Sequence, residues 1–367
     1  MNQQRITFAV SNDISHDQRM HRICRTLAQA GCDVTLVGRL RSSSTDIGKL
    51  GFKTYRIKCY FNFGFFFYAE FNLRLLLYLL QAKTDAISAV DLDTLLACRT
   101  SSKLRGLKLY FDAHEIFTEV PELTDRNLIK KIWAWIGHLC INPQVSCYTV
   151  NDSLAKILSK KYNVPFVSVY NYPIQSTKLT EQEINGPVRL LYQGMVNRGR
   201  GVLEAIEAIK DQSSISLDII GDGDIIEDVR VQAHRSTAKI NLLDFVSPNK
   251  LTQLTSHYHI GLNLLDSSSD NYYYSSANKF YDYIMAGLPM ITMDFPEYNN
   301  IIHTYEVGVL IANLDAHTIL AAIERIKHRY AHYRNQCLIA RKELRWSREE
   351  SKLLAIYSSE LAPDEFR

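Results

Sequence analysis

No CxxC pair occurs among the seven cysteines of this chain (Cys24, Cys32, Cys59, Cys98, Cys140, Cys147 and Cys337), and their number is odd. That scatter argues against a zinc ribbon and a disulfide framework, leaving buried free thiols as the expectation. An excess of one charge is also lacking: 42 Lys and Arg stand against 39 Asp and Glu, a formal net charge of +3. A dedicated nucleic-acid binder needs a larger basic excess, so no nucleic-acid partner is expected and any anion site must be local. Long apolar runs are missing too. The greasiest stretch, 61–80 (FNFGFFFYAEFNLRLLLYLL), carries Glu70 and Arg74 in its middle, short of the roughly 20 uninterrupted apolar residues a membrane span needs. The opening MNQQRITFAVSND has an apolar run of only Ile6–Val10, which reads as a first strand and not an export signal, so a cytoplasmic location is expected.

What is present is an ordinary globular composition, 46% hydrophobic and 22% charged over 367 residues, too long for one core and about right for two domains. Short apolar runs alternate with amphipathic segments: ITFAV, a helix from about Asp17 to Ala30, DVTLVG, TYRIK, a helix over 65–81, AISAV, a helix after Asp93, LKLYFD, a helix near 128–140, SCYTV, and NDSLAKILSKKY. That grammar predicts a parallel sheet covered on both faces. It lapses after Tyr170 and restarts with RLLYQG, a helix over 202–209, SLDIIGDG, a helix near 225–234, INLLDFV, HIGLNLL, a segment over 278–286, LPMITM and GVLIA. The expected architecture is therefore α/β, two Rossmann-like doubly wound domains facing a cleft. They cover 1–172 and 188–345, joined by a linker over 173–187, with a C-terminal helix in 346–367 returning to the first domain.

Doubly wound sheets place ligands at the carboxyl ends of their strands, which singles out five segments. SNDISHDQRMHR puts Asn12, Asp13, His16, Asp17, Arg19 and Arg22 after the first strand; helix capping by Asp13 or Asp17 is the competing account for any one of them. YFDAHEIFTE puts Asp112, His114 and Glu115 after a buried strand, where a histidine beside two carboxylates can polarise a hydroxyl or hold a sugar. LLYQGMVNRGRG brings Gly194, Arg198 and Arg200 into a glycine-broken turn before a helix. Glycines admit backbone N–H groups to a phosphate, and arginines and the helix N-terminus supply charge, so a diphosphate suits this turn. IIGDGD, with Gly221 and Asp244 beyond it, is a partial dinucleotide fingerprint with Ile226 where a third glycine belongs. SSANKFYDYIMAGLPMIT carries Asn278, Lys279 and Asp282 on a short helix; Lys279 can add charge to a phosphate site and Asp282 can accept from ribose hydroxyls.

The segments DAHEIFTEVPEL, YQGMVNRGRG, IIGDGD and NKFYDYIMAGLPMI together resemble the retaining glycosyltransferases of family 4, of the two-domain GT-B fold, over most of the chain. The resemblance implies that His114 lines the reaction centre, that Gly194 and Arg200 hold the donor diphosphate, and that Asp282 binds the donor ribose. Arg198, Gly221, Asn278, Lys279, Tyr274 and Ser275 complete the expected donor site, and Asn12, Asp13, Asp17 and Glu115 the acceptor site. It also implies no metal and no cofactor beyond a nucleotide-sugar donor, with a glycan or lipid-linked acceptor and a role in polysaccharide synthesis. Two departures stand out. The acid the family usually has eight positions before Asp282 is Tyr274 here, which transfers its sugar contact to Tyr273, Tyr274 or Ser275, and Met195 follows Gly194 where the family has arginine. Two other classes compete: an NAD(P)-dependent oxidoreductase resting on GDG and Asp244, and a catalytically silent transferase-like scaffold motivated by Tyr274. Residues 61–80 read as a buried helix in preference to a peripheral membrane contact through Phe61, Phe63 and Phe65–Phe67.

Overall fold

The computed structural model describes residues 3–358 except 16, 121, 122, 124, 125, 176–178, 180–182, 245 and 247. His16 lies outside the described residues. The chain divides into two compact units, one holding residues up to Tyr170 and from Glu349 on, the other Asn171–Arg348.

The first unit alternates β1 (Arg5–Asp13), α1 (Gln18–Gln29), β2 (Asp33–Leu40), β3 (Lys53–Lys58), α2 (Gly64–Gln81), β4 (Ala86–Val90), α3 (Leu92–Arg105), β5 (Lys108–Ala113), α4 (Asn127–Cys140), β6 (Val145–Thr149), α5 (Asp152–Tyr162) and β7 (Phe166–Ser168). Among the described residues its strands form one parallel sheet in the order β3-β2-β1-β4-β5-β6-β7. A strand covered on both faces has no polar side to keep wet, and every side chain of β4 is buried accordingly. Successive β-α-β steps from β4 to β7 advance in one direction, so their helices share a face of the sheet, and α2 packs beside α3 and α3 beside α4.

The second unit comprises β8 (Val188–Gln193), α6 (Val202–Ile209), β9 (Ile215–Ile220), α7 (Ile226–His234), β10 (Lys239–Leu243), α8 (Pro248–Thr255), β11 (Ile260–Asn263), α9 (Asp270–Tyr273), α10 (Asn278–Met285), β12 (Met290–Met293), α11 (Pro296–Tyr305), β13 (Gly308–Ile311), α12 (Ala316–His328) and α13 (Tyr330–Ala340). Its parallel sheet runs β10-β9-β8-β11-β12-β13. Strand order reverses between β1 and β4 in the first unit and between β8 and β11 in the second, and each reversal opens a crevice at the carboxyl ends of the strands. The last helix, α14, spans Trp346–Tyr357. Its end lies in the first unit, where the Tyr357 ring stacks on Tyr110 at 4.1 Å and its hydroxyl meets Ser88 Oγ and Tyr148 Oη at 2.9 Å each.

All seven cysteines are free, and Cys32 and Cys59 are only half-buried, because both sit at edges of the first unit rather than in its core. No helix among the described residues is long and apolar enough to cross a membrane. The expectation of a simply buried helix over 65–81 needs correction: Phe67, Phe71, Leu75 and Leu79 of α2 are buried, but Phe65, Phe66, Leu73, Leu77 and Leu80 face solvent.

Candidate active site

In the first unit, β5 ends by delivering Asp112 and His114 into the crevice beside β4. Asp112 is fully buried and takes a two-pronged salt bridge from Arg19 on the first turn of α1, Nε to Oδ2 at 3.1 Å and Nη2 to Oδ1 at 2.9 Å. Arg19 Nη1 also donates to the Val169 carbonyl at 2.8 Å, so the guanidinium, itself buried, is fixed in place. Burial alone would raise the Asp112 carboxyl, but Arg19 and His114 hold it down at about 2.

His114 Nε2 lies 3.0 Å from Asp112 Oδ2, and its Nδ1 lies 3.8 Å from Asp91 Oδ2, an ion-pair distance beyond hydrogen-bonding range. Burial opposes a charged ring, yet Asp112 and Asp91 outweigh it and lift the imidazole to about 9. Burial raises the Asp91 carboxyl in turn, to about 8, so the crevice retains a proton shared between Asp91 and His114. Arg19 Nε also approaches His114 Nε2 as a hydrogen-bond donor at 3.2 Å, so the two side chains meet each other as well as the shared Asp112 carboxylate.

Two acids of this crevice escaped the sequence reading. Asp91 follows β4 with φ +56°, a left-handed conformation that costs a non-glycine residue about 1–3 kcal/mol and is found mostly at functional sites. It is held there by its N–H donating to the Asp112 carbonyl at 2.9 Å and its Oδ1 accepting from His114 N at 2.8 Å. Asp93, in the first turn of α3, accepts a hydrogen bond from Ser11 Oγ on β1, and burial raises its carboxyl to about 6. The helix begins at Leu92, not after Asp93. The available signal was AVDLD, an acid directly after a buried strand, the same pattern that made YFDAHE conspicuous.

The residues expected on the acceptor side fall into two sets. Asp13 is engaged locally, accepting from Ser15 N at 2.9 Å, Ser15 Oγ at 2.7 Å and Ser44 Oγ at 2.7 Å. Asp17 is the N-cap of α1, accepting from Met20 N at 3.0 Å, and Asn12 Nδ2 donates to its other oxygen at 3.0 Å. These three build the turn that seats Arg19. Glu115, by contrast, is half-buried within the acidic crevice beside His114.

In the second unit, β8 ends at Gln193 and Gly194. Gly194 (φ +119°) and Gly221 (φ +153°) are pressed together: a Cβ on Gly221 would stand 1.9 Å from the Gly194 carbonyl oxygen. The glycine of IIGDGD is thus required by the close passage of two strand-end loops, which accounts for it without a bound dinucleotide. Arg198 is exposed, with its amide donating to Asp224 Oδ1 at 3.1 Å.

Lys279, in the first turn of α10, is 6% exposed, and its Nζ has no hydrogen-bond partner among the described residues. The ammonium rests 3.7 Å from the centroid of the Tyr192 ring, and its Cε approaches the position a Gly194 side chain would take, at 3.8 Å. Burial, reinforced by the positive charge of Arg200, pushes this amine well below its ordinary value. Arg200 has its own buried, unpartnered Nε and lies 5.5 Å from the Tyr272 ring. The Lys279 amine and the Arg200 guanidinium thus each bury a nitrogen that has no hydrogen-bond partner among the described residues.

The rest of the expected donor set surrounds this pair. Asp282, a turn further along α10, accepts from Gln193 Nε2 at 3.1 Å, while Gln193 accepts from Thr255 Oγ1 at 3.1 Å. Asn278 Oδ1 accepts from Asn171 Nδ2 at 2.7 Å. Ser275 Oγ meets Tyr298 Oη at 2.9 Å, and that hydroxyl also accepts the Ala277 N–H at 3.2 Å. Tyr274 caps α9 with its ring edge-on to Tyr273 at 4.9 Å. Gln193, Tyr192 and Tyr298 gave no polar pattern in the sequence, since each sits inside an apolar run or an ordinary helix.

Residues 188–328, all within the second unit, match the family model described as Glycosyl transferases group 1. The chain carries a glycosyltransferase domain. No curated protein matches this sequence. Among solved structures, this glycosyltransferase is similar to sucrose-phosphate synthase (tll1590) from Thermosynechococcus elongatus, with a TM-score of 0.79, 13% identity, and coverage of 97% of this chain and 98% of that one. It is also similar to Anabaena Alr3699/HepE in complex with UDP and glucose, with a TM-score of 0.77, 11% identity, and coverage of 97% and 100%. The galactosyltransferase WaaB of the lipopolysaccharide outer core follows at 0.69 and 12% identity over 96% and 98%. At such identities the likeness is one of fold, two Rossmann-like units of the GT-B type.

Proposed function

We propose that this glycosyltransferase is a retaining, metal-independent enzyme of family 4 that takes a sugar from a nucleotide-diphosphate sugar and passes it to a glycan or lipid-linked acceptor. The observation that carries the reading is Lys279 Nζ, buried and unpartnered beside Arg200 and the Gly194 turn. A diphosphate supplies the missing counter-charge, with Lys279 and Arg200 on its oxygens, Arg198 at the exposed rim, and Asp282 presented to the ribose. The HepE structure with UDP and glucose supports a nucleotide-sugar donor by analogy of fold.

In this reading Lys279 and Arg200 stabilise the charge that grows on the departing diphosphate, and that stabilisation is the largest catalytic contribution. His114 contacts a hydroxyl of the transferred sugar, and Tyr274 and Ser275 take over the sugar contact of the family's usual acid. The setting is cytoplasmic polysaccharide or cell-envelope synthesis, with peripheral contact at the inner face of the membrane.

A thermal-shift screen against UDP, GDP, ADP, CMP, NAD and NADP tests the proposal. A ligand at about a hundredfold excess over its Kd stabilises the folded state by ~2.7 kcal/mol. The expected outcome is a shift with one nucleoside diphosphate that disappears in Arg200→Ala. A shift with NAD or NADP alone would overturn the reading.

A further inference from the structure

The outer face of α2 is as apolar as its inner face, an arrangement that a soluble helix has no reason to keep. Phe67, Phe71, Leu75 and Leu79 line the buried side, while Phe66, Leu73, Leu77 and Leu80 repeat at helical spacing on the solvent side. The helix α4 repeats the arrangement: Leu128, Ile132, Trp135 and Leu139 lie at i, i+4, i+7 and i+11 and are all exposed, Trp135 by 59%. Between them α3 turns Leu96 and Leu104 outward. The three helices share one side of the sheet, and Tyr68 of α2 meets Trp133 of α4 edge-on at 5.3 Å, so the stripes belong to one surface. Its extent exceeds that of scattered surface leucines, which are common and carry no message.

The loop before α2 is built to hold aromatic side chains outward. The Glu70 carboxylate accepts the Tyr60 N–H at 2.9 Å and the Phe61 N–H at 3.0 Å. Arg39, buried with its guanidinium 4.0 Å from the Phe67 ring, donates to the carbonyls of Asn62 at 3.0 Å and Phe61 at 3.2 Å. With its backbone satisfied from below, the loop presents Tyr60 at 80%, Phe63 at 85% and Phe65 at 75% exposure. Preorganised aromatic tips are what an interface of water and hydrocarbon selects.

Among the described residues, the exposed charges of this surface that stand outside ion pairs have one sense. Exposed Lys103 on α3 and Lys131 on α4 stand among the stripes, with exposed Lys58, Lys83 and Arg126 at their ends. The described acids of this side are committed, Glu70 to Arg74 and the loop amides, and Glu119 to Lys130. We propose that α2, α3, α4 and the Tyr60–Phe66 loop form a docking face for an anionic lipid bilayer, with the aromatic tips entering the headgroup boundary and the lysines meeting lipid phosphates. This deepens the peripheral placement in the proposed function, and it stands or falls apart from the nucleotide site.

The full chain, without nucleotide, is centrifuged with vesicles of phosphatidylcholine alone and of phosphatidylcholine doped with phosphatidylglycerol. The expected result is sedimentation with the doped vesicles, weakened by salt, and a drop of about tenfold or more in the partition coefficient for Phe63→Ser combined with Phe66→Ser. Lys103→Glu with Lys131→Glu should abolish the preference for the anionic vesicles. Both pairs are exposed, and unchanged thermal unfolding shows that they still fold. Absence of wild-type sedimentation overturns the proposal, as does binding indifferent to both pairs. Dimerisation in solution that Phe63→Ser with Phe66→Ser removes, with no vesicle binding, assigns the face to a second copy and also overturns it. In each of those cases a nucleoside-diphosphate shift in the thermal screen would remain.

Discussion

His114 Nε2 and Asp112 Oδ2 lie 3.0 Å apart in the first unit, and Asp112 is at the same time the bidentate partner of Arg19. One carboxylate thus serves both side chains and, together with Asp91, raises the imidazole to about 9 against an ordinary 6.5. A group whose folded value is raised contributes stability that is fully present below its unfolded value and is lost as pH rises through the folded one. The stability advantage of wild type over His114→Gln should accordingly be largest below about pH 6.5 and fade by about pH 9. Melting curves of both proteins across that window provide the check, and a difference that stays flat would contradict the assignment.

Removing Asp112 strands Arg19. Both side chains are buried, and breaking a buried pair by neutralising one partner typically costs about 3–5 kcal/mol because the other charge keeps its desolvation penalty. Asp112→Asn is expected to lower unfolding free energy by about that much in urea titrations. It should also return His114 toward its ordinary titration, visible as a lower imidazole pKa in an NMR pH titration. Loss of stability with an unmoved histidine would separate the two residues.

The parts of the fold that were legible are those with one-dimensional causes. Strands of a parallel sheet are buried on both faces, so ITFAV and AISAV announced themselves as mainly apolar runs, and α6 over Val202–Ile209 matches its expected span residue for residue. Short elements failed: β7 (Phe166–Ser168) and α9 (Asp270–Tyr273) carry too few residues to show a period, and α11 (Pro296–Tyr305) is a helix in a stretch to which the sequence assigned no element. In the site, position after a strand singled out His114 and Gly194, because that rule follows from topology. It did not reveal that Arg19 reaches Asp112 across 93 positions of sequence, or that Gln193 orients Asp282. Those pairings depend on strand order, which hydrophobic patterning does not encode. For α2 the same patterning showed a helix with too many apolar residues, and only the positions of α3 and α4 decide which of them are covered.

Gly221→Ala examines the contact between the two strand-end loops of the second unit. A methyl at this site meets the Gly194 carbonyl at 1.9 Å, and φ +153° disfavours any side chain there. Strain of this kind costs about 1–3 kcal/mol, and relief requires the Gly194 turn to move. The variant should melt at lower temperature and bind nucleoside diphosphate more weakly. A variant with lowered stability and full affinity would show that Gly194 keeps its place without Gly221.

Lys279→Met separates a structural lysine from a ligand-binding one by the sign of its effect. A lysine that held the fold together would have an acceptor, and its loss would destabilise the protein. Lys279 Nζ has none among the described residues, lies against the Tyr192 ring, and is pushed well below its ordinary value by burial and by Arg200. Its desolvation cost is uncompensated in the free protein, and methionine fills a similar volume without that cost. Thermal unfolding without ligand should therefore be unchanged or shifted upward. Hydrogen bonds to a charged group contribute about 1.5–3 kcal/mol, so affinity for the nucleoside diphosphate should fall by roughly tenfold to a hundredfold in calorimetric titrations. A destabilised variant that binds as tightly as wild type would remove Lys279 from the donor site and leave Arg200 to hold the phosphates.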